Sequence, residues 1–172
     1  MPKMKIRKSN RADIPSIMEI ISHAQSLLRS GGVDQWQDGY PTAEIIAADI
    51  AKSESYLLED NGVILATAVI SFAGEITYNT IDGQWLNSNP YVVVHRLAVR
   101  DSARRSGLAQ QLMLYAEALA LTRGINDIRV DTHQDNLAMQ ALLDRLGYTL
   151  CGAITLLSGA ARIAYQKQLV AK

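Results

Sequence analysis

Residues 91–110 read YVVVHRLAVRDSARRSGLAQ, and the fold turns on how this stretch is parsed. Residues 91–99 are apolar and largely β-branched apart from His95 and Arg96, the composition of a central strand. The polar run Arg100-Asp101-Ser102-Ala103-Arg104-Arg105-Ser106 comes next. After Gly107, the residues Leu108, Leu112, Tyr115, Ala116 and Leu119 recur at helical spacing until Gly124 stops them. The unit is therefore strand, loop, helix, with Arg104-x-x-Gly107-x-Ala109 at its centre. A helix start leaves up to four backbone N–H groups without partners, and its dipole favours negative charge. Gly107 and Ala109 keep side chains small there, and Arg104 and Arg105 add local positive charge. That is an anion cradle of the kind that binds pyrophosphate. An ordinary connection with a solvated arginine pair fits the fragment equally well.

Working outward, residues 4–8 read as a short strand. Ile14, Ile17, Ile21, Ala24 and Leu28 form a helical stripe that Gly31-Gly32 ends. A polar loop with Trp36 and Tyr40 follows, and Pro41-Thr42 opens a second helix carrying Ile46 and Ile50. Residues 55–60 and 63–72 are strands about Asn61-Gly62, a strong hairpin signal. Residues 74–90 mix Gly, Asn, Thr and aromatics and read as a loop with room for a short strand. Beyond the helix stopped at Gly124, residues 127–132 form a strand. Asn136 can cap a helix with the stripe Met139, Leu142, Leu143 and Leu146, ended by Gly147. Residues 148–154 and 162–169 complete the strands. Strand and helix alternate only in the second half, so the expectation is a mixed sheet with helices on both faces.

The chain has 172 residues, the size of one domain, with 48% apolar and 20% charged residues, an ordinary globular composition. Seventeen basic residues balance seventeen acidic ones, which leaves no electrostatic footprint for nucleic acid or an anionic membrane. Any anion site must be local. Cys151 is the single cysteine, so no intrachain disulfide and no cysteine-based metal site is expected. The stretch Met1-Pro2-Lys3-Met4-Lys5 has no apolar run behind it, so no secretory signal is visible. No apolar run approaches the ~18 residues of a membrane span. The cytoplasm is the expected compartment.

Leu97-Ala98-Val99, then Arg104-x-x-Gly107-x-Ala109 and a long amphipathic helix, resemble the acetyl-CoA-binding core of the GNAT N-acetyltransferase superfamily. A second stretch, Asn136 with Leu142 and then Gly147-Tyr148, resembles that family's Asn-led helix ending in Gly plus an aromatic. Together they cover about a third of the chain, and the element order fits the rest. The resemblance implies a single domain over residues 1–172, a twisted, mostly antiparallel mixed α/β sheet of six or seven strands, and no metal. It also implies an acetyl-CoA-dependent transferase acting on a small-molecule or peptide amine by direct attack in a ternary complex. The implied cofactor residues are Leu97, Ala98, Val99, Arg104, Arg105, Ser106, Gly107, Leu108, Ala109 and Asn136. Pantetheine would lie along residues 97–99 as an added strand, a backbone N–H there holding the acetyl carbonyl. Asn136 is equally a plain helix cap. A homodimer is common on this fold.

Transfer needs a neutral amine, whose ammonium form has a pKa near ~10, so a group must accept its proton. Asp131 and His95 are the candidate bases, each with a structural alternative: a partner for a nearby arginine, and a satisfied core histidine; Arg96, odd in a central strand, meets coenzyme or substrate or simply pairs with Asp131. His133 shares the strand face of Asp131, though a loop or surface place suits it better. Many family members carry a tyrosine acid where this chain has Leu143. Tyr148 or Tyr115 can substitute, or water can serve. Leu143 itself belongs to the core stripe of its helix. The family builds part of its acceptor pocket between its first two helices, where Trp36 and Tyr40 lie; large rings there form a pocket wall or staple the loop to the core. Tyr78 and Trp85 are candidates for the same cleft. The missing tyrosine also leaves room for an idle acyl-CoA-binding regulator on the same fold. A nucleotide-binding module is weakened by the absence of G-x-x-x-x-G-K-[ST]. The acceptor stays open among a protein N-terminus, lysine, polyamine, aminoglycoside and amino acid.

Overall fold

A computed structural model describes residues 4–170. Met1, Pro2 and Lys3, the start of the stretch weighed for a leader, lie outside the described residues. The elements are β1 (Met4–Lys8), α1 (Ile14–Ser30), α2 (Ala43–Ala51), β2 (Ser55–Asp60), β3 (Val63–Ser71), β4 (Asp82–Gly83), β5 (Val92–Val99), α3 (Leu108–Thr122), β6 (Asp127–Thr132), α4 (Leu137–Arg145), β7 (Thr149–Thr155) and β8 (Ala161–Gln168). The strands order as β1-β2-β3-β5-β6-β8-β7-β4. β1–β2, β2–β3, β6–β8, β7–β8 and β4–β7 pair antiparallel, and β5–β6 pair parallel. Eight strands replace the six or seven expected. The addition is β4, whose two residues pair with Ala153 and Gly152. A two-residue strand is too short to show alternation, so the pattern of 74–90 could suggest it but not count it.

Contacts divide the chain into two compact units, Met1–Ile70 with His95–Leu114 and Ser71–Val94 with Tyr115–Lys172. In the first unit the α1 stripe works on two sides. Ile17 and Ile21 pack with Ile46 of α2, while Ile20 joins Leu57, Ile64 and Ala98 from β2, β3 and β5. In the second unit Tyr78, Val93, Ile154 and Ala164 form a core cluster, with Ile81, Trp85 and Tyr91 against it. Arg129 of β6 lies between the rings of Trp85 and Tyr91, 4.1 Å from each centroid.

The start of α1 depends on a charged knot. Asn10 caps the 3-10 turn Arg11–Asp13, accepting from Ala12 N at 2.9 Å, while Asn10 N–H donates to Asp13 Oδ2 at 2.7 Å. Strand alternation puts Lys5 and Arg7 on one face of β1. Arg7 grips buried Asp13 with two N–H groups, at 2.8 and 3.0 Å, and also donates to Glu59, which Lys5 pairs at 3.0 Å. The hydrogen bonds from Arg7 hold the Asp13 carboxyl below the usual range. Its stabilisation is therefore complete above the unfolded-state value of ~3.9 and is lost as pH falls through the lower folded value. Asp13→Asn should lower the unfolding free energy by about 1–3 kcal/mol at neutral pH. Urea titrations from neutral to acidic pH should show the gap between parent and variant closing on acidification; a constant gap would mean that Asp13 acts through shape alone.

Candidate active site

The first unit holds the loop picked out by sequence. β5 runs extended to His95, and Arg96 then takes φ 50°, left-handed for a residue with a long side chain. Such a conformation costs about 1–2 kcal/mol outside glycine and persists only where neighbours enforce it. Here Arg96 Nε and Nη2 donate to the two carboxylate oxygens of Asp49 at 2.8 and 2.7 Å, and Nη1 donates to the Tyr40 hydroxyl. Arg96 therefore pairs with Asp49, and not with Asp131, the ion-pair partner the sequence suggested as one alternative. Asp49 is buried on α2, and desolvation raises its carboxyl above the ordinary value against the pull of Arg96. His95 and Leu97 are half-buried and Ala98 is buried.

Beyond Val99 the chain is fixed by Arg100, whose N–H donates to Leu65 O and whose Nε donates to Ile64 O, each at 2.7 Å. A 3-10 turn (Asp101–Ala103) follows, and Ser106 Oγ donates to Ala103 O. Arg105 and Gly107 both have positive φ, 63° and 79°. A Cβ on Gly107 would meet no atom within 4 Å, so glycine is required there by backbone conformation rather than by crowding. The first helical bond of α3 runs from Gln111 N to Gly107 O. The N–H groups of Gly107, Leu108, Ala109 and Gln110 thus precede the helical ladder at its positive end. Leu108 is buried and anchors the turn, while Arg104, Arg105, Ser106 and Gly107 are exposed. Arg104 spends part of its charge on Asp101, 3.3 Å away.

Trp36 and Tyr40 belong to the same unit, and both are stapled. Trp36, at φ 61°, packs on the cluster of Ile20, Leu57, Ile64 and Ala98. The main-chain oxygen of Tyr40 accepts from Gln25 Nε2 at 2.9 Å, and Gln37 Nε2 donates to Gln25 O at 2.9 Å.

The second unit holds Asp131, Asn136 and Tyr148. Asp131 Oδ2 accepts from the hydroxyl of Tyr78 at 2.6 Å. Tyr78 sits on a 3-10 turn (Ile76–Asn79) and is fully buried; its carbonyl accepts from Trp85 Nε1 at 2.9 Å. Tyr78 thus contacts Asp131 directly, and Trp85, half-buried, contacts Tyr78. Desolvation raises the Asp131 carboxyl, while the Tyr78 hydrogen bond and the charge of Arg162 oppose that rise. Tyr78 lies 53 residues from Asp131 in sequence, and no local pattern connects them. Asn136 is the cap of α4, accepting from Met139 N at 3.2 Å. His133 Nδ1 accepts from Asp135 N at 3.0 Å.

At the far end of α4, Gly147 takes φ 85°, its N–H bonds to Asp144 O, and Tyr148 N–H reaches back to Leu143 O. This glycine-ended cap explains the Gly-aromatic pair as helix termination. Tyr148 is buried, with Lys167 Nζ 5.7 Å from its ring centroid and Lys167 paired to Glu117 at 2.6 Å. Burial and the Glu117 charge push its phenol well above the ordinary value. Leu143 is fully buried, as its stripe requires. Among the described residues, no group of three or more His, Cys, Asp or Glu side chains is placed to hold a metal, and no helix is long and apolar enough to cross a membrane.

Comparison with known proteins gives this arrangement a family. The model of the acetyltransferase (GNAT) family matches residues 16–148, and the chain belongs to that family. A GNAT-family acetyltransferase from Streptococcus agalactiae 2603 is 35% identical, with 98% of this chain and 96% of that one aligned at a TM-score of 0.87. An acetyltransferase from Salmonella typhimurium, solved with its cofactor acetyl-CoA, is 20% identical at a TM-score of 0.71, covering 99% and 96%. The PaiA N-acetyltransferase from Thermoplasma acidophilum, solved with coenzyme A, is 14% identical at 0.73, covering 96% and 99%. Comparison with curated proteins finds no match.

The buried place of Leu143 gives a prediction. Tyrosine there adds volume and a hydroxyl to a filled site, so Leu143→Tyr should destabilise the fold by about 1–3 kcal/mol without raising turnover. A lowered urea midpoint with an unchanged or reduced rate is the expected pair of results; a higher rate at full stability would show that the position opens to the chemistry.

Proposed function

We propose that residues 1–172 form one N-acetyltransferase domain that moves the acetyl group of acetyl-CoA to a primary amine by direct attack in a ternary complex, in the cytoplasm. The observation that carries the reading is the 100–109 loop. Two left-handed residues, Arg105 and Gly107, deliver the chain into α3 with its first N–H groups ahead of the helical ladder. In this reading Arg104, Arg105, Ser106, Gly107, Leu108 and Ala109 hold the pyrophosphate. Two proteins of the same fold solved with acetyl-CoA or coenzyme A support that choice of ligand.

Acetyl-CoA supplies an activated thioester; the chain supplies binding, orientation and proton transfer. β5 pairs with β6 in parallel through Val92↔Ile128 and Val93↔Arg129. That short ladder at the start of β5 supports the main chain of Leu97, Ala98 and Val99 as the edge on which pantetheine pairs and the carbonyl finds a donor. Asn136 contributes to the same ligand while capping α4. Trp36 and Tyr40 form a wall for the amine. Asp131 accepts the ammonium proton, its desolvated carboxyl being more basic than an exposed one, and His95 is the second candidate. Tyr148, buried and held neutral, is the candidate acid. The buried Leu143 favours a second reading, an acyl-CoA-binding regulator with weak turnover. An assay for free thiol across a panel of primary amines separates the two, since the regulator releases little with any amine.

Two experiments test the assignments. Gly107→Asp places a charge and a strained residue in the cradle and should weaken acetyl-CoA binding at least ~10-fold by calorimetry, about 1.4 kcal/mol. Gly107→Ala adds the strain without the charge and separates the two effects. Unchanged affinity in folded Gly107→Asp would remove the phosphates from this loop. For the base, the acidic limb of kcat at saturating substrates should lie above the ordinary carboxylate range of ~3.9. Tyr78→Phe removes a bond that favours the ionised form, so the limb should move to higher pH. Asp131→Asn should lower kcat by about 10²–10⁴. An Asp131→Asn enzyme with full rate and the same limb would assign proton removal elsewhere.

A further inference from the structure

The segment joining α1 to α2, residues 33–42, has little regular structure, and besides the Gln25 and Gln37 bonds and the packing of Trp36, one side chain from a distant strand reaches it. Arg96 reaches from β5 to the hydroxyl of Tyr40 and lies 5.9 Å from its ring centroid. The same guanidinium is aimed by a two-point pair with Asp49, a buried carboxylate on α2. Asp49 fixes two of the three guanidinium nitrogens, so the third has a defined direction, and that direction is Tyr40. A planar fork is needed for this; a lysine carries a single point charge on a flexible stem and cannot do both. Three elements, β5, α2 and the 33–42 segment, therefore meet at one side chain. The backbone at Arg96 is itself left-handed, where glycine would be easier. The position nonetheless carries arginine, so the guanidinium is what the site uses.

We propose that Arg96 is a positioning residue for the amine acceptor: held by Asp49, it clamps Tyr40 and with it the 33–42 segment in the conformation that receives the amine. The proposal rests on the reading of that segment as the acceptor wall. Arg96 contacts no substrate in this scheme and acts through Tyr40. A purely structural ion pair would loosen the whole unit when broken and affect both substrates together. The clamp instead predicts a loss confined to the amine side.

Arg96→Gly, Arg96→Lys and Tyr40→Phe test this. Arg96→Gly keeps the left-handed backbone accessible, so its effect reports the side chain. Tyr40→Phe removes one hydroxyl and keeps the ion pair, which guards against loss of folding. The readouts are KM for the best amine of the panel, kcat, acetyl-CoA affinity by calorimetry, and fluorine NMR of fluorotryptophan-labelled protein. The chain has two tryptophans, so Trp36 reports the segment and Trp85 serves as internal control. The expected result is an amine KM raised at least ~10-fold in both Arg96 variants and ~3-fold or more in Tyr40→Phe. Acetyl-CoA affinity should change less than ~2-fold in Arg96→Gly and Tyr40→Phe, and the Trp36 resonance alone should shift or broaden. An unmoved Trp36 resonance in folded Arg96→Gly, equal losses for amine and acetyl-CoA, or a moved resonance with unchanged amine KM would each overturn the proposal. If the parent turns over no amine, the acetyltransferase reading fails. In that case Trp36 decides separately whether Arg96 holds the segment.

Discussion

The conformation of β5 at Arg96 is the constraint on which the described site depends. The strand starts as buried core, Val92 to Val94, with a parallel register to β6 at its first two residues. Two residues beyond that buried start the main chain takes a left-handed turn that an L side chain resists. The Asp49–Arg96–Tyr40 contacts offset that resistance. The same strand continues into the loop that Arg100 pins to β3 and that opens α3. A strand, the 100–109 loop and a helix start are thus placed by one backbone path, and side chains from α2 and the preceding loop hold that path where it is strained.

Charge is managed locally throughout. The chain as a whole is neutral, and several buried carboxylates are paired within it: Asp13 and Glu59 with Arg7, Asp49 with Arg96, Glu117 with Lys167. Removing one partner of such a pair leaves an uncompensated charge, whereas the intact pair adds modest stability. The value of these pairs here is geometric, since each ties elements far apart in sequence. Asp131 is treated differently. Its direct partner is a neutral hydroxyl, Tyr78, and its carboxyl is desolvated upward. Asp13 is held down by Arg7, while Asp49 is raised by its own desolvation although Arg96 pairs with it.

The fold was largely legible because its signals are local. The α1 stripe, the Asn61-Gly62 hairpin, the cap at Asn136 and the Gly147 stop each involve neighbours within about one or two helical turns, and each element lies where its pattern places it. The 100–109 loop was legible for the same reason: glycine, small residue and arginine follow one another in sequence. Leu143 as a core residue followed from helical spacing alone.

What the sequence could not show were pairings between residues far apart. Asp131 was one partner open to Arg96, beside coenzyme or substrate, yet Asp49, on a helix, takes two of its nitrogens. Tyr78 gave no sign of being the partner of Asp131, and β4 was too short to have a period. Composition and spacing determine which segments form and which of their faces are apolar, because those follow from bonds and side chains a few residues apart. Which buried charge meets which is decided only when the chain has packed. The free energy of a buried pair depends on distance, desolvation and the other partners available, and these exist only in the folded structure.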